Sequence, residues 1–286
     1  MVEATEQQIV SKKVKKAVWW ITLTCNLKCP YCHAEQVGDP LLKHPMQPAA
    51  RWVEAWNRIE GDLLIDITGG EPFLQPDFVG LVNGLDASKK IAMTTNLTQD
   101  ITEFAQKVSP EKCFSITASL HPSSKMNIEY FIGKLLLLKN RGFSVGANYV
   151  AFPEQMWLID HFKGMFEKMG LRLHIDPYTP GPVYPFCPTD SEKRFLQRHF
   201  GSDRDNPYDD EVKTYLCDAG MNYFVVSPNG QVSRCVSRMY STDVKMGNIF
   251  DSDFHLSGRS VECKTKFCPG CDADKTVRVV RKAATS

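Results

Sequence analysis

From residue 17 to residue 176 the chain alternates between two hydrophobic rhythms. Short apolar runs rich in β-branched and aromatic residues recur as AVWWITL (17–23), LLIDIT (63–68), KIAMTT (90–95), CFSITASL (113–120), FSVGANYVAF (143–152) and LRLHID (171–176). Longer stretches between them repeat their apolar residues at helical spacing. PAARWVEAWNRIE (48–60) puts Trp52, Val53, Trp56 and Ile59 on one face, and helices are likewise predicted over 76–85, 98–108, 127–141 and 154–170. Six strands separated by five helices predict βαβ units, and hence a parallel sheet. Strands this uniformly apolar are buried on both faces, as in a doubly wound sheet or a β/α barrel.

After the sixth strand the rhythm stops. YTPGPVYPFCP (178–188) is too rich in proline for a helix and marks a boundary or a loop over the barrel mouth. HFGSDRDNPYDDE (199–211) is polar and turn-rich, and NYFVVSPNGQVSRC (222–235) reads as two β-prone arms about a Pro-Asn-Gly turn. The end, KTVRVVRKAATS, is basic and expected to fray. There is no internal repeat.

Composition narrows the class. With 286 residues the chain has room for one large α/β domain and a small appendage. A net charge of +1 gives no general attraction to nucleic acid or to an acidic membrane. The first residues lack the apolar run of about 7–15 residues that marks a signal peptide, and no later stretch approaches the ~18 apolar residues of a spanning helix. The expectation is a cytoplasmic protein, in which the ten cysteines are metal ligands or buried thiols before they are disulfides.

The cysteines cluster at both ends of the chain. Cys25, Cys29 and Cys32 fall in CNLKCPYC, directly after the first strand and on the edge where α/β barrels keep their active sites. A structural zinc site wants four protein ligands, whereas a [4Fe–4S] cluster held by three thiolates keeps one iron open to a substrate or cofactor. His33, next to Cys32, is a rival ligand. TGGEP (68–72) ends the second strand on the same edge, where two glycines permit close backbone approach by a ligand and Glu71 suits an ammonium group. Read alone, GGEP is also an ordinary turn.

CNLKCPYC resembles the signature of the radical S-adenosylmethionine (SAM) superfamily, C-x3-C-x-Φ-C with an aromatic Φ, here Tyr31. The resemblance implies that Cys25, Cys29 and Cys32 hold a [4Fe–4S] cluster whose open iron is chelated by SAM, with Tyr31 near the adenine. GGEP resembles a motif of the same family, in which the backbone of Gly69 and Gly70 and the Glu71 side chain contact the methionyl amino group. Polar residues at later strand ends of similar enzymes bind the SAM carboxylate and ribose. Asn96 in MTTN, Ser119 in SLHP and Asn148 on the fifth strand are the corresponding candidates. His121, Asp176 and Tyr178 face substrate or serve the scaffold, and no catalytic residue is assigned.

Near the other end, Cys217 and Cys235 form a C-x12-G-x4-C pattern around Gly230, and Cys268 and Cys271 form a C-x2-C turn. Two such pairs by themselves allow zinc or iron–sulfur. Their arrangement resembles the twitch domain, a shortened SPASM domain, which implies a second, auxiliary [4Fe–4S] cluster on these four cysteines. Cys263 is a possible replacement ligand or a buried thiol, Cys187 a hydrogen donor, a ligand or an inert loop residue, and Cys113 a core residue.

The expected fold is thus α/β. A partial (β/α)6 TIM-type barrel over 17–185 is followed by a small β-hairpin/helix twitch domain over 186–275, with an extension (1–16) and a tail (276–286). The implied function is reductive cleavage of SAM and hydrogen-atom abstraction from a small polar metabolite. Net two-electron oxidation is expected, with the auxiliary cluster as acceptor and a low-potential donor such as flavodoxin or ferredoxin as reductant. The small-metabolite expectation rests on the short stretch before Cys25, which has no room for a leader-binding domain. The alternatives are a radical epimerase with a cysteine hydrogen donor, a ribosomal-peptide maturase and, from another class, a zinc-stabilised binding protein. Neither nucleic acid nor membrane is an expected partner.

Overall fold

A computed structural model describes residues 15–36, 38–178, 187–199, 213–236, 245–265 and 279–281. Its framework is the expected alternation: β1 (Lys15–Thr22), β2 (Leu63–Gly69), β3 (Lys89–Thr95), β4 (Cys113–Leu120), β5 (Val145–Ala151) and β6 (Leu173–Pro177). Between them run α1 (His33–Gln36), α2 (Ala49–Asn57), α3 (Phe78–Gly84), α4 (Thr102–Lys107), α5 (Ile128–Asn140) and α6 (Ile159–Lys168). All six strands pair in parallel, each with the next in sequence, the pairing that consecutive βαβ units give.

The helices pack by the face the sequence predicts. Trp52 and Trp56 of α2 are fully buried, their rings 4.7 and 5.3 Å from that of Trp19 on β1. On the other face of β1, Val18 and Trp20 pack with Ala219, Tyr223 and Val225. Both faces of the strand are thus covered, which its apolar composition requires.

Four features depart from the sequence reading. The hairpin, β8 (Tyr223–Val226) and β9 (Gln231–Ser233), is not set apart from the barrel. β8 pairs in parallel with β1, so the main sheet has nine strands in the order β10-β9-β8-β1-β2-β3-β4-β5-β6, with β10 at Lys245–Asn248. A second sheet joins β7 (Lys213–Cys217) to β11 (Val261–Thr265) and β12 (Val279–Arg281), all antiparallel. The helix predicted over 98–108 starts only at Thr102, because the chain turns through a left-handed Leu97 (φ 52°). Helix α7 (Asp190–Gln197) falls within the region expected to hold a hairpin and helix, at a position the sequence reading does not give, although its start carries a capping box: Thr189 and Glu192 each bond the other's backbone N–H. No helix among the described residues is long and apolar enough to cross a membrane.

The strand register decides where the chemistry lies. Thr22 is level with Gly69, Thr95 with Ala118, Ser119 with Asn148, and Val150 with Asp176. The cysteine loop, GGEP, MTTN, SLHP and Asn148 therefore all reach the C-terminal edge of one sheet.

Candidate active site

At that edge lies a cleft of about 240 Å³. Cys25, Cys29, Cys32, Tyr31, Gly69, Gly70, Asn96, Ser119, His121 and Asn148 all line it. Of the predicted SAM-site residues only Glu71 is missing from the lining, and His33 is exposed on α1 away from it.

The glycines of GGEP serve the chain's own backbone. Gly69 has φ 115°, and a Cβ there would sit 2.3 Å from the Thr22 carbonyl oxygen; one on Gly70 would sit 2.1 Å from that of Thr24. The contact is hydrogen-bonded, Gly70 N donating to Thr22 O at 2.7 Å and Glu71 N to Thr24 O at 3.0 Å. What approaches so closely is the 22–24 segment that carries β1 into the cysteine loop, an addition to the ligand approach expected from sequence.

Glu71 works from behind. Its side chain is fully buried and accepts from Thr95 Oγ1 at 2.7 Å, Asn96 N at 2.7 Å and Phe73 N at 3.0 Å. Burial pushes its carboxyl above the usual range, against the pull of these donors and of the nearby Lys134 charge. Both oxygens face protein donors, so in this geometry Glu71 braces Asn96 and does not line the cleft.

Each cysteine has its own hold. Cys25 Sγ accepts from Leu27 N at 3.4 Å and from Asn96 Nδ2 at 3.7 Å. Cys29 Sγ lies 3.0 Å from Ser124 Oγ, and Cys32 N donates to Cys29 O as α1 begins. Burial raises both the Cys25 and the Cys29 thiols, the latter to about 11, with the neighbouring cysteine charges adding to the effect. Thiols in this state keep their protons until a metal displaces them.

Beside the cysteines the lining is aromatic and polar. Tyr31 Oη lies 2.7 Å from His121 Nδ1, and the Tyr31 ring packs 5.2 Å from Phe152, which meets Tyr178 edge-on at 5.2 Å. Burial lowers the His121 pKa to about 4, so its ring is neutral at physiological pH. Asn148 Nδ2 donates to Asp176 Oδ2 at 2.8 Å. An ionised carboxylate only accepts, so the amide is turned with Oδ1 away from Asp176, and that oxygen is buried with no partner. An orphaned buried acceptor beside a cleft suits a ligand carrying N–H or O–H groups.

These residues fit an iron–sulfur cluster with SAM. The three thiols share one cleft wall and feel one another's charge, and the donor set is purely soft sulfur. Among the described residues no three His, Cys, Asp or Glu side chains converge as ligands of a single ion would.

The C-terminal cysteines are partly visible. Cys217 ends β7, and Cys263 on β11 is level with Tyr215, which places Cys263 on the same sheet face as Cys217 by the alternation of strands. The two are close enough for Cys263 to raise the Cys217 pKa, with burial the larger cause. Cys235 follows β9 and packs with Cys217 against Ala219, Tyr223 and Val225. Cys113 is buried at the start of β4, and Cys187 is exposed. Cys268 and Cys271 lie outside the described residues.

Comparison with known proteins agrees with this geometry. The bacteriocin protein AlbA of Bacillus subtilis, "Antilisterial bacteriocin subtilosin biosynthesis protein AlbA", is 23% identical over 263 residues, covering 83% of this chain and 58% of AlbA. A probable GTP 3′,8-cyclase of Archaeoglobus fulgidus is 34% identical over 76 residues, 27% of this chain and 25% of that protein. The chain thus spans little more than half of AlbA's length and a quarter of the cyclase's. Streptococcus suis SuiB shares the fold with a TM-score of 0.60 and 18% identity, over 84% of this chain and 64% of SuiB. So does anSMEcpe with bound AdoMet, at 0.58 and 16%, over 82% of this chain and 75% of that one. The family model "Radical SAM superfamily" matches residues 21–163, half of the chain, from the end of β1 through the cysteine loop, GGEP and the strand ends that line the cleft into α6. The chain is therefore a member of the radical SAM superfamily, an enzyme family that works with a [4Fe–4S] cluster and SAM.

Proposed function

We propose that Cys25, Cys29 and Cys32 hold the family's [4Fe–4S] cluster and that SAM lies along Tyr31, Gly69, Gly70, Asn96, Ser119 and Asn148. The observation that carries this reading is the single cleft that all of these residues line at the C-terminal edge of the sheet. When bound, cluster and SAM supply a 5′-deoxyadenosyl radical that removes a hydrogen atom from an unactivated carbon. The chain's own residues bind and shield. The Gly69–Gly70 backbone fixes the cysteine loop, Asp176 turns the Asn148 carbonyl toward ligand donors, and Tyr31 and His121 line the cleft, with Phe152 packed behind Tyr31, to keep water from the reacting carbon. Glu71, which the family resemblance puts on the methionyl amino group, acts through Asn96.

The substrate we favour is a peptide. The small-metabolite expectation rested on the length of chain before Cys25. The likeness to AlbA, a bacteriocin biosynthesis protein, runs over 83% of the chain, and SuiB, which shares the fold, has been solved with a precursor peptide bound. The GTP 3′,8-cyclase likeness covers about a quarter of the chain, enough for the shared cofactor but not for the substrate. Net oxidation needs a one-electron acceptor, and Cys217, Cys235, Cys268 and Cys271 are the thiolates to hold an auxiliary cluster in a twitch region over 186–275. That region is joined to the barrel (17–185) through β8. A low-potential protein such as flavodoxin or ferredoxin would reduce the barrel cluster.

The test is anaerobic incubation of reconstituted protein with SAM, dithionite and two pools, one of short peptides and one of polar metabolites. The expected result is 5′-deoxyadenosine release together with a peptide lighter by about two mass units, the two hydrogens removed by oxidation. A mass change confined to the metabolite pool would return the substrate to the alternative class. A mass that is unchanged in ordinary water and rises by about one unit in deuterated water, the single solvent hydrogen returned to the substrate radical, would identify an epimerase.

A further inference from the structure

Lys134 lies on α5, outside the cleft, and is 6% exposed. Burying an ammonium is costly unless every proton finds an acceptor. Here all three do: Nζ donates to Leu97 O at 2.8 Å, to Thr98 O at 3.0 Å and to Gln99 O. Three consecutive carbonyls converge on one point because the chain curls through Leu97, whose φ of 52° is a conformation that residues with a Cβ rarely hold. Such a turn persists only where its surroundings over-determine it. Leu97 itself is buried, and its N–H donates to Thr95 Oγ1 at 3.0 Å.

The turn that Lys134 grips carries the polar groups that meet the cysteine loop. Asn96 Oδ1 accepts from Thr98 N at 2.9 Å and from Thr98 Oγ1 at 2.6 Å. Thr98 Oγ1 in turn accepts from Asn26 Nδ2 at 2.7 Å, and Asn96 Nδ2 donates to Asn26 Oδ1 at 3.1 Å. The ring of side chains Asn26–Thr98–Asn96 closes on itself, and its Asn96 corner also reaches Cys25 Sγ. On the opposite side Glu71 holds the Asn96 backbone. The residues that fix Asn96 and Thr98 are thus a buried carboxylate from β2's end and a buried ammonium from α5.

We propose that Lys134 is a positioning residue for the cysteine loop: by pinning the 97–99 turn it presents Asn96 and Thr98 to Asn26 and so sets where Cys25 stands. The inference rests on the assignment of Cys25, Cys29 and Cys32 as cluster ligands. It concerns a residue two contacts removed from the cleft.

The test uses the full chain carrying Lys134→Met, Asn26→Ala or both, with Asn148→Ala as an independent reference. Amide hydrogen exchange is followed at residues 96–99, and SAM affinity is measured by calorimetry on anaerobically reconstituted protein. Lys134→Met should speed exchange at 97–99 and weaken SAM by about three- to tenfold, the range of one hydrogen bond. Because both residues act through one latch, the Lys134→Met/Asn26→Ala double variant should bind SAM no more weakly than the worse single, whereas Asn148→Ala should add to either. Unchanged exchange and affinity in Lys134→Met, or full additivity with Asn26→Ala, would overturn the proposal. If Lys134→Met does not fold, Thr98→Val takes its place in the same cycle, and additivity there is equally fatal. Wild-type protein without an iron–sulfur signal would defeat the ligand assignment instead, and the exchange measurement would still decide the role of Lys134.

Discussion

The two cysteine-rich ends of this chain are built in different ways. At the N-terminal end three thiols come from one loop of eight residues, Cys25 to Cys32, tied by hydrogen bonds to the segments that follow β2, β3 and β4. At the C-terminal end Cys217 and Cys263 meet across neighbouring strands of the small sheet, while Cys235 arrives from the hairpin of the large one. A site built within one loop is written in residue spacing. Cysteines brought together from two sheets, as proposed at the C-terminal end, are written in topology, which spacing reports poorly.

Removing thiols from each end in turn is the strongest way to sharpen this contrast. Cys29→Ala should abolish 5′-deoxyadenosine release under dithionite while circular dichroism stays native, since Cys29 sits on a loop and not in the core. Retained release would break the cluster assignment. Cys217→Ala/Cys235→Ala should end product formation yet leave some 5′-deoxyadenosine release. Melting curves must accompany the assay, because thiolate–metal bonds also contribute folding energy. A folded double variant with full turnover would reduce the C-terminal site to a structural one.

The same contrast explains how much could be read beforehand. Strand ends and helix faces followed from periodicity, and CFSITASL is β4 to the residue. The cleft's lining was legible too, because strand ends in a parallel sheet must share an edge. What escaped was contact at a distance. Nothing in GGEP says that its glycines lie against Thr22 and Thr24, or that the Glu71 carboxylate is spent on Thr95 and Asn96. Lys134 reads as one more basic residue on a helix until the turn at Leu97 is seen. The pairing of β8 with β1 escaped because a parallel partner for the first strand came from beyond 40 residues of non-repeating chain.

Glu71→Gln is the next smaller effect. An amide group in place of one oxygen sets a donor against a donor in a fully buried site. A loss of about 1–3 kcal/mol in stability is expected by urea denaturation. SAM affinity should fall no more than stability does. A variant of native stability with sharply weaker SAM binding would put the carboxylate on the ligand after all.

The smallest effect is a pH dependence. The unfolded chain protonates His121 near pH 6.5, whereas burial delays this in the folded protein to about 4. The unfolded state therefore binds more protons in this window. The stability His121 contributes is complete above pH 6.5 and is lost as pH falls toward 4, by about 2 kcal/mol between pH 7 and pH 5. Denaturation of the metal-free chain at both pH values should show this loss in the wild type and a flatter response in His121→Phe. Equal slopes would mean that the ring is not held neutral by the fold.

Everything proposed for the cleft depends on a cluster with one open iron. The direct measurement is electron paramagnetic resonance of reduced, anaerobically reconstituted Cys217→Ala/Cys235→Ala protein, recorded with and without SAM. A [4Fe–4S]⁺ signal that changes on adding SAM is predicted, because only a cluster held by three protein thiolates offers an iron to the cofactor. A signal indifferent to SAM, or a protein holding zinc and no iron, would contradict it.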